Sequence, residues 1–179
     1  VKILDLGGSL GFTYVPVING VVRDQQIDYH VIDLERICEL GSRIFKDDHR
    51  IHFQSSLPDD IPDLDIVHTN SSMQYIEDWR GMLAKLARYS PRYFLFDNLW
   101  AGDIPTYATA QNYYGSTIPC WFFNIKDVFD TMSTVGFELL FKATYVAPVF
   151  GQQQEFPQEN FAEEYRLGYP CSLLFCRKE

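Results

Sequence analysis

Short apolar stretches alternate with amphipathic segments along most of the chain. The apolar stretches predict buried strands, which cover residues 1–6, 29–33, 51–54, 64–69, 92–97, 137–146 and 171–176. Apolar residues three and four positions apart predict helices over 35–46, 77–89 and 125–135. A further helix is expected within 12–26, interrupted or shifted by Pro16.

This order of elements predicts an α/β fold. Strands that alternate with helices form parallel pairs, because each helix carries the chain back to the same edge of the sheet. The last two strands are joined only by 147–170, a polar, Gln-rich segment expected at the surface. They must therefore be antiparallel. We expect a Rossmann-like, doubly wound, mostly parallel seven-stranded sheet with one antiparallel edge strand.

Composition narrows the class of protein. The 179 residues are expected to form a single domain, 1–179. A net charge of -9 argues against a nucleic-acid partner, whose phosphates need a basic surface. No apolar run has membrane-spanning length and no signal peptide is recognisable, which argues against a membrane partner. The four cysteines fit no zinc spacing and are expected to be reduced, in a cytoplasmic protein.

The first strand ends in a glycine-rich turn that carries the clearest chemical signal. Asp5 lies in the apolar strand, and Gly7, Gly8 and Gly11 follow it. Glycines at this place let the backbone approach a ligand closely, and a helix start beyond them offers free N–H groups. The pattern predicts a nucleotide-type pocket at the carboxyl end of the first strand, although such a turn also occurs in other α/β proteins.

The spacing of the glycines argues against a dinucleotide. The dinucleotide fingerprint needs glycines where this chain has Ser9 and Phe12. A carboxylate at Asp5 would also repel a pyrophosphate, whereas it suits a ligand with a cationic amine and no phosphate. A nicotinamide-dependent oxidoreductase is therefore disfavoured.

The segment Asp5-Leu-Gly-Gly-Ser-Leu-Gly11 resembles the first motif of class I S-adenosylmethionine-dependent methyltransferases, with Ser9 in place of the usual middle glycine. The resemblance implies the strand order 3-2-1-4-5-7-6 and a helix before the first strand, which we expect to precede Val1 in the full-length protein. More closely, Tyr75-Ile-Glu-Asp-Trp79 with Phe96-Asp-Asn98 resembles a small bacterial methyltransferase family found among surface-polysaccharide genes.

The resemblance implies a set of residues for S-adenosylmethionine. Asp33 ends the second strand and would bind both ribose hydroxyls, although it could also cap the next helix. Ser55 or Ser56 would contact the adenine, and Asn70, Ser71 and Tyr75 would border the methyl group. The predicted cofactor-binding residues are Asp5, Gly7, Gly8, Ser9, Gly11, Asp33, Leu34, Ser55, Ser56, Asn70 and Ser71. His68 is interpreted as a hydrogen-bonded core residue.

Asp97 and Asn98 resemble the Asp-Asn pair that binds magnesium in catechol-type O-methyltransferases. The position of the third protein ligand of those enzymes is occupied here by Asn70. One carboxylate and two amides make a weak magnesium site. We therefore expect no metal, and we predict that Asp97, Asn98 and Tyr75 act on the acceptor.

An aromatic-rich insertion of about 99–123 follows the fifth strand. It contains Gly102, Pro105, Gly115 and Pro119, which predict a long loop. Long insertions after a strand often carry function, so it is interpreted either as a substrate lid or as aromatic packing.

These features predict methyl transfer from S-adenosylmethionine to a small-molecule acceptor that is polar, such as a sugar or sugar nucleotide. Positioning the acceptor in line with the methyl group can supply much of the catalysis. The alternatives are a non-catalytic nucleotide-binding or regulatory module with the same fold, and a metal-dependent O-methyltransferase of catechol type. The oligomeric state is left open.

Overall fold

The computed structural model describes residues 1–21, 25–113, 115–146 and 156–178. The first half alternates strands and helices. Its elements are β1 (Lys2–Leu6), α1 (Tyr14–Gly20), β2 (Asp28–Ile32), α2 (Glu35–Ile44), β3 (Ile51–Gln54), β4 (Ile66–Asn70), a 3-10 helix (Met73–Tyr75), α3 (Trp79–Ala87) and β5 (Tyr93–Leu99). The predicted strands and helices of this half are confirmed to within a few residues at their ends.

The second half contains more strands than the sequence pattern predicts. Its elements are β6 (Ala101–Gly102), β7 (Tyr107–Tyr113), β8 (Ser116–Asn124), α4 (Ile125–Thr134), β9 (Phe137–Thr144), a 3-10 helix (Glu163–Tyr165) and β10 (Cys171–Arg177). The helix α4 begins as predicted, because the Asn124 side chain accepts a hydrogen bond from the backbone N–H of Lys126.

Seven strands form one sheet in the order β3-β2-β1-β4-β5-β10-β9. The first five pair in parallel, and β10 runs antiparallel to both β5 and β9. The mostly parallel sheet with an antiparallel pair at one edge is therefore confirmed. The predicted order 3-2-1-4-5-7-6 changes in detail, because three unpredicted strands precede the last two. The reversed strand also lies one position inside the edge.

The insertion is the main correction. Instead of a long loop, β6, β7 and β8 form a second sheet in the order β6-β8-β7. The β7 and β8 strands make an antiparallel hairpin from Tyr107 opposite Phe122 to Tyr113 opposite Ser116. Of the glycines and prolines that predicted a loop, Gly115 lies between the hairpin strands and Pro119 lies within β8, whereas Gly102 ends β6 and Pro105 lies between β6 and β7.

Pro16 does not interrupt α1. It is the third residue of the helix after the N-cap Thr13, where a missing N–H costs no intrahelical hydrogen bond. Residues 22–24 of the predicted 12–26 segment lie outside the described residues, as do 147–155 of the predicted 147–170 loop.

The rest of that predicted surface loop is partly buried. Gln158 and Leu167 are 5% and 6% exposed. Leu167 belongs to an apolar cluster with Trp100, Cys120 and Phe122, against which Phe156 packs. The segment 156–167 is therefore a wall of the insertion and not a free loop.

Within the described residues, no helix is long and apolar enough to cross a membrane. All four cysteines are unpaired, and three of them, Cys38, Cys120 and Cys171, are buried.

Candidate active site

The glycine turn after β1 is held against the loop that follows β4. Gly7 has a φ of +73°, which disfavours any residue with a side chain. A Cβ atom at Gly7 would also lie 2.3 Å from Cβ of Ser72. The Ser72 hydroxyl donates to the carbonyl of Leu6 over 2.6 Å. These contacts bring the ends of β1 and β4 together at one edge of the sheet.

Ser9 takes a left-handed backbone conformation, which a glycine adopts with less strain. Its φ is +53°, and its backbone N–H donates to Oδ2 of Asp33 over 2.8 Å. The substitution of serine for glycine in this motif therefore leaves the turn intact, at the cost of some backbone strain.

Asp33 joins two backbone segments at the end of β2. Its Oδ1 accepts from the N–H of Leu34 over 2.7 Å, and its Oδ2 accepts from Ser9. The N-cap residue of α2 is Leu34 and makes no side-chain cap, so the capping alternative for Asp33 is wrong. A carboxylate has about four lone-pair sites, so the half-buried Asp33 side chain can still accept hydrogen bonds from a ligand.

Asp5 lies deeper than the sequence pattern suggests. Its side chain is fully buried. The Tyr29 hydroxyl donates to its Oδ2 over 2.7 Å, and Nδ1 of His68 donates to its Oδ1 over 2.8 Å. The expectation that Asp5 directly faces a ligand's amine is therefore wrong in geometry, because both of its oxygens are turned into the core.

His68 connects Asp5 to the end of β5. Its other ring nitrogen, Nε2, lies 3.4 Å from Oδ2 of Asp97. Burial alone would lower the pKa of His68, but its hydrogen bonds to the two carboxylates outweigh burial and raise the pKa to about 9. The hydrogen bond from His68 in turn holds the pKa of Asp97 below its usual range, against the opposing effect of burial.

The contacts among Asp5, His68 and Asp97 have a chemical consequence. His68 carries a proton at neutral pH and uses both ring nitrogens for carboxylates, so it cannot serve as a general base. The interpretation of His68 as a hydrogen-bonded core residue is confirmed. In addition, it links the first strand to Asp97, and two carboxylates with one imidazolium leave a net negative charge beside the sheet edge.

A second hydrogen-bonded group lies where β4 and β5 end, with Asn70 paired in register with Asp97. The Asn98 side-chain amide donates to the Ser71 hydroxyl over 2.5 Å. That hydroxyl donates to Oδ1 of Asn70 over 2.9 Å. Ser71 and Asn98 both have positive φ values, +56° and +49°. Such strained positions cluster at functional sites, and the structure brings these four predicted residues together.

Tyr75 joins the loop after β4, where its backbone N–H donates to the carbonyl of Ser72, to the insertion. Its hydroxyl donates to Oε1 of Gln111 on β7 over 2.9 Å, and its ring contacts Trp100 edge-on at 5.8 Å. Burial raises the pKa of Tyr75, with smaller contributions from Cys120 and Tyr113. The hydroxyl is therefore protonated at neutral pH.

The remaining predicted residues occupy more open positions. Leu34 follows Asp33 and is 75% exposed. Ser55 and Ser56 follow β3 and are exposed. The carbonyl of Gln54, the last residue of β3, accepts a hydrogen bond from the backbone N–H of Asp33. Ser55 and Ser56 therefore follow directly after the point where the ends of β2 and β3 are joined. Gly8 and Gly11 are buried in the turn.

Gln74 was not among the predicted site residues. Its side chain is fully buried, and neither amide atom has a hydrogen-bond partner among the described residues. A buried amide without a partner costs about 1–3 kcal/mol. Its place directly before Tyr75 was visible in the sequence, but its burial was not.

The described residues contain no group of three or more His, Cys, Asp or Glu side chains arranged to hold a metal ion. Asp97 is paired with His68, and the Asn98 amide faces Ser71.

Comparison with solved structures identifies the fold. A methyltransferase from Methanosarcina mazei, described as dependent on S-adenosylmethionine, aligns with 99% of this chain and 92% of its own at 13% identity and a TM-score of 0.68. A 1,6-didemethyltoxoflavin-N1-methyltransferase from Burkholderia thailandensis, solved with S-adenosylhomocysteine, aligns over 99% of this chain and 71% of its own at 12% identity and a TM-score of 0.67.

The chain has the class I methyltransferase fold. The same comparison also finds SpnF, described as a cyclase, at 15% identity and a TM-score of 0.65, covering 99% of this chain and 75% of that protein. The class I methyltransferase fold therefore does not by itself fix the reaction. No protein-family model and no curated protein matches the sequence.

Proposed function

We propose that this chain is an S-adenosylmethionine-dependent methyltransferase that acts on a small polar acceptor. The observation that carries the proposal is the bond between Asp33 and the Ser9 N–H. It joins the glycine turn to an acidic residue at the end of β2, the pair of features that a nucleoside needs in a doubly wound fold. The solved neighbours with this fold support the same conclusion.

The residues present fit the cofactor. Asp33 retains acceptor sites for the two ribose hydroxyls. Leu34 offers an exposed apolar side chain beside it, and Ser55 or Ser56 lies beyond the adjacent strand end. Gly7 lets the turn pack closely against Ser72, because a Cβ atom at this position would lie 2.3 Å from Cβ of Ser72. The net negative charge of the Asp5–His68–Asp97 chain favours a cationic sulfonium and amine.

The bound cofactor supplies an electrophilic methyl group. The chain's own part is to bind and orient the acceptor, which can contribute roughly 7–11 kcal/mol through proximity alone. Asp97 is ionised and held by His68, so it can accept a hydrogen bond from the acceptor's hydroxyl or amine. The Tyr75 hydroxyl donates its one proton to Gln111, so its oxygen can accept a hydrogen bond from the acceptor. Asn98 and Ser71 orient each other beside them.

A sugar or sugar nucleotide is our proposed acceptor, in line with the resemblance to methyltransferases of surface-polysaccharide genes. Its ring would enter from the side of the insertion, because Tyr75 contacts that segment through Gln111.

A thermal-shift titration with S-adenosylhomocysteine and with NAD tests the cofactor. Binding at a hundredfold excess over Kd stabilises a protein by about 2.7 kcal/mol. We expect a concentration-dependent rise in Tm with S-adenosylhomocysteine and none with NAD. A rise with NAD alone would contradict the proposal.

A second candidate retains the cofactor site without methyl transfer, and the cyclase among the structural neighbours supports keeping it. Incubation with radiolabelled S-adenosylmethionine and a mixture of acceptors separates the two candidates. Transfer of label to an acceptor is expected for the methyltransferase, and binding without transfer for the module.

A further inference from the structure

A cavity of about 400 Å³ lies between the β7–β8 hairpin and the segment 156–161. This volume is within the usual range for small-molecule sites. Its apolar walls are aromatic and come from Trp100, Phe122, Phe156 and Phe161. None of these residues belongs to the predicted cofactor site, so the cavity is a separate compartment of the molecule.

The aromatic walls are packed against one another. The Trp100 ring lies 5.0 Å from Phe122 and 5.1 Å from Phe156, measured between centroids, and Phe122 and Phe156 are 5.6 Å apart. Rings at these distances stabilise each other beyond their buried area. The cavity is therefore formed before any ligand enters.

Hydrogen bonds hold the segment 156–161, the wall opposite the hairpin, in place. The Gln158 side-chain amide donates to the Tyr107 hydroxyl over 3.1 Å and accepts from the Leu167 N–H over 2.7 Å. Tyr107 donates in turn to the carbonyl of Tyr165 over 2.7 Å. The segment 156–167 is thus fastened to β7, and the position of Phe156 is fixed.

The polar groups that line the cavity are neutral. They include the side-chain amides of Gln111, Asn112, Gln158 and Asn160. No Asp, Glu, Lys, Arg or His is among the described residues that line it. A phosphate would enter without a cation to compensate its charge, which is costly in a cavity walled by aromatic rings.

One residue of the proposed transfer site, Tyr75, contacts the lining of the cavity. Gln111 lines the cavity and accepts the hydrogen bond from Tyr75. Trp100 also lines it and contacts the Tyr75 ring. The backbone N–H of Tyr75 donates to the carbonyl of Ser72, so Tyr75 connects the lining of the cavity to the loop after β4.

We propose that the acceptor is an uncharged ring compound that binds in this cavity with its faces against aromatic side chains and its polar rim on the amides. This inference rests on the proposed function and refines it. At about 30 Å³ for each water-sized atom, the cavity holds roughly a dozen non-hydrogen atoms. A free sugar or a heteroaromatic compound fits, whereas the diphosphate of a sugar nucleotide must lie outside.

Two matched pairs of probes test whether the cavity prefers uncharged compounds. The pairs are naphthol with naphthyl phosphate, and methyl glucoside with glucose phosphate. Ligand-observed saturation-transfer NMR measures the Kd of each, with and without saturating S-adenosylhomocysteine. We expect at least one uncharged member to bind and its phosphate to bind at least about tenfold more weakly. The two pairs also distinguish an aromatic acceptor from a sugar.

Two substitutions on the same strand locate the binding. Ala110 and Ala108 are both exposed on β7, but only Ala110 lines the cavity. Ala110→Trp is expected to weaken binding of the uncharged probe about tenfold or more, and Ala108→Trp to leave it unchanged.

Equal or tighter binding of the phosphates, equal effects of the two tryptophan variants, or no binding of either uncharged probe would overturn the acceptor class. Probe binding in a chain that does not bind S-adenosylhomocysteine would retain the acceptor class and reject the proposed function. The two failures are therefore distinguishable.

Discussion

The carboxyl ends of β1, β4 and β5 hold charged side chains that pair with one another, whereas the insertion encloses a cavity lined by aromatic rings and neutral amides. In the first region Asp5, His68 and Asp97 fix one another through charge-assisted contacts. In the second region, rings such as those of Trp100 and Phe122 are held by aromatic packing. Charge-assisted bonds orient groups strongly and are costly to break. Aromatic walls adapt to more ligands.

This difference separates two tasks. A cofactor with a constant structure and a positive charge suits a rigid, polar, net-negative edge. An acceptor that is a ring without charge suits an aromatic cavity. We therefore propose that the carboxyl ends of β1, β4 and β5 recognise the charge of the cofactor and that the insertion recognises the shape of the acceptor.

The largest expected effect comes from removing the imidazole that joins the buried carboxylate of Asp5 to the partly exposed carboxylate of Asp97. His68→Leu leaves Asp5 without its charged partner in the core and should lower the free energy of unfolding by about 3–5 kcal/mol. Urea unfolding followed by circular dichroism measures it. His49→Leu is the control, because His49 is exposed and should change stability by less than about 0.5 kcal/mol. A similar small loss in both variants would contradict the ionic description of the sheet edge.

The pH dependence of stability is the next largest effect. The pKa of His68 is raised from 6.5 to about 9 in the folded chain, so its contribution is complete below pH 6.5 and is lost as the pH rises to about 9. The shift corresponds to about 3 kcal/mol. Urea unfolding of the wild type across this range should show the loss.

His68→Gln provides the control for the pH series. It keeps His30, whose pKa is lowered, chiefly by burial, and which therefore changes stability with pH in the opposite direction. The difference between the wild type and His68→Gln should shrink as the pH rises. A difference that stays constant with pH would mean that His68 is not charged in the folded chain.

A smaller effect is expected at the junction of the two regions. Gln74→Met removes an amide that has no hydrogen-bond partner among the described residues and retains its volume. It should raise the free energy of unfolding by about 1 kcal/mol. Gln26→Met, at an exposed position, should have little effect. A loss of stability in Gln74→Met would show that the amide has a partner.

The smallest expected effect is that of removing metal ions with EDTA. Because Asp97 is paired with His68 and Asn98 with Ser71, excess EDTA should leave S-adenosylhomocysteine binding and methyl transfer unchanged. Loss of transfer that magnesium restores would move the chemistry to the catechol type.

The sequence predicted the sheet well because its strands are apolar and its helices periodic. It could also place Asp33, Asn70 and Asp97 at strand ends, since those positions follow from strand order. The register that sets His68 opposite Asp5 is a long-range property, and no local pattern shows it.

The insertion was predicted less well for a different reason. The segment Tyr107–Tyr113 alternates in burial as an outer strand does, but it is rich in alanine and polar residues, which give only a weak strand signal. Its partner strand contains Pro119, which usually argues against a strand. The packing of 156–167 on the hairpin depends on contacts between segments far apart in the chain, and local sequence does not encode these.

Isothermal titration calorimetry with S-adenosylhomocysteine tests the central claim most directly, on the wild type, Asp33→Ala and the control Asp47→Ala, which alters an exposed aspartate beyond α2. Two hydrogen bonds from ribose hydroxyls to a carboxylate are each worth about 1.5–3 kcal/mol. We expect the wild type and Asp47→Ala to bind equally, and Asp33→Ala to bind at least about a hundredfold more weakly while remaining folded. Unchanged affinity in Asp33→Ala, or no binding by the wild type, would contradict the account.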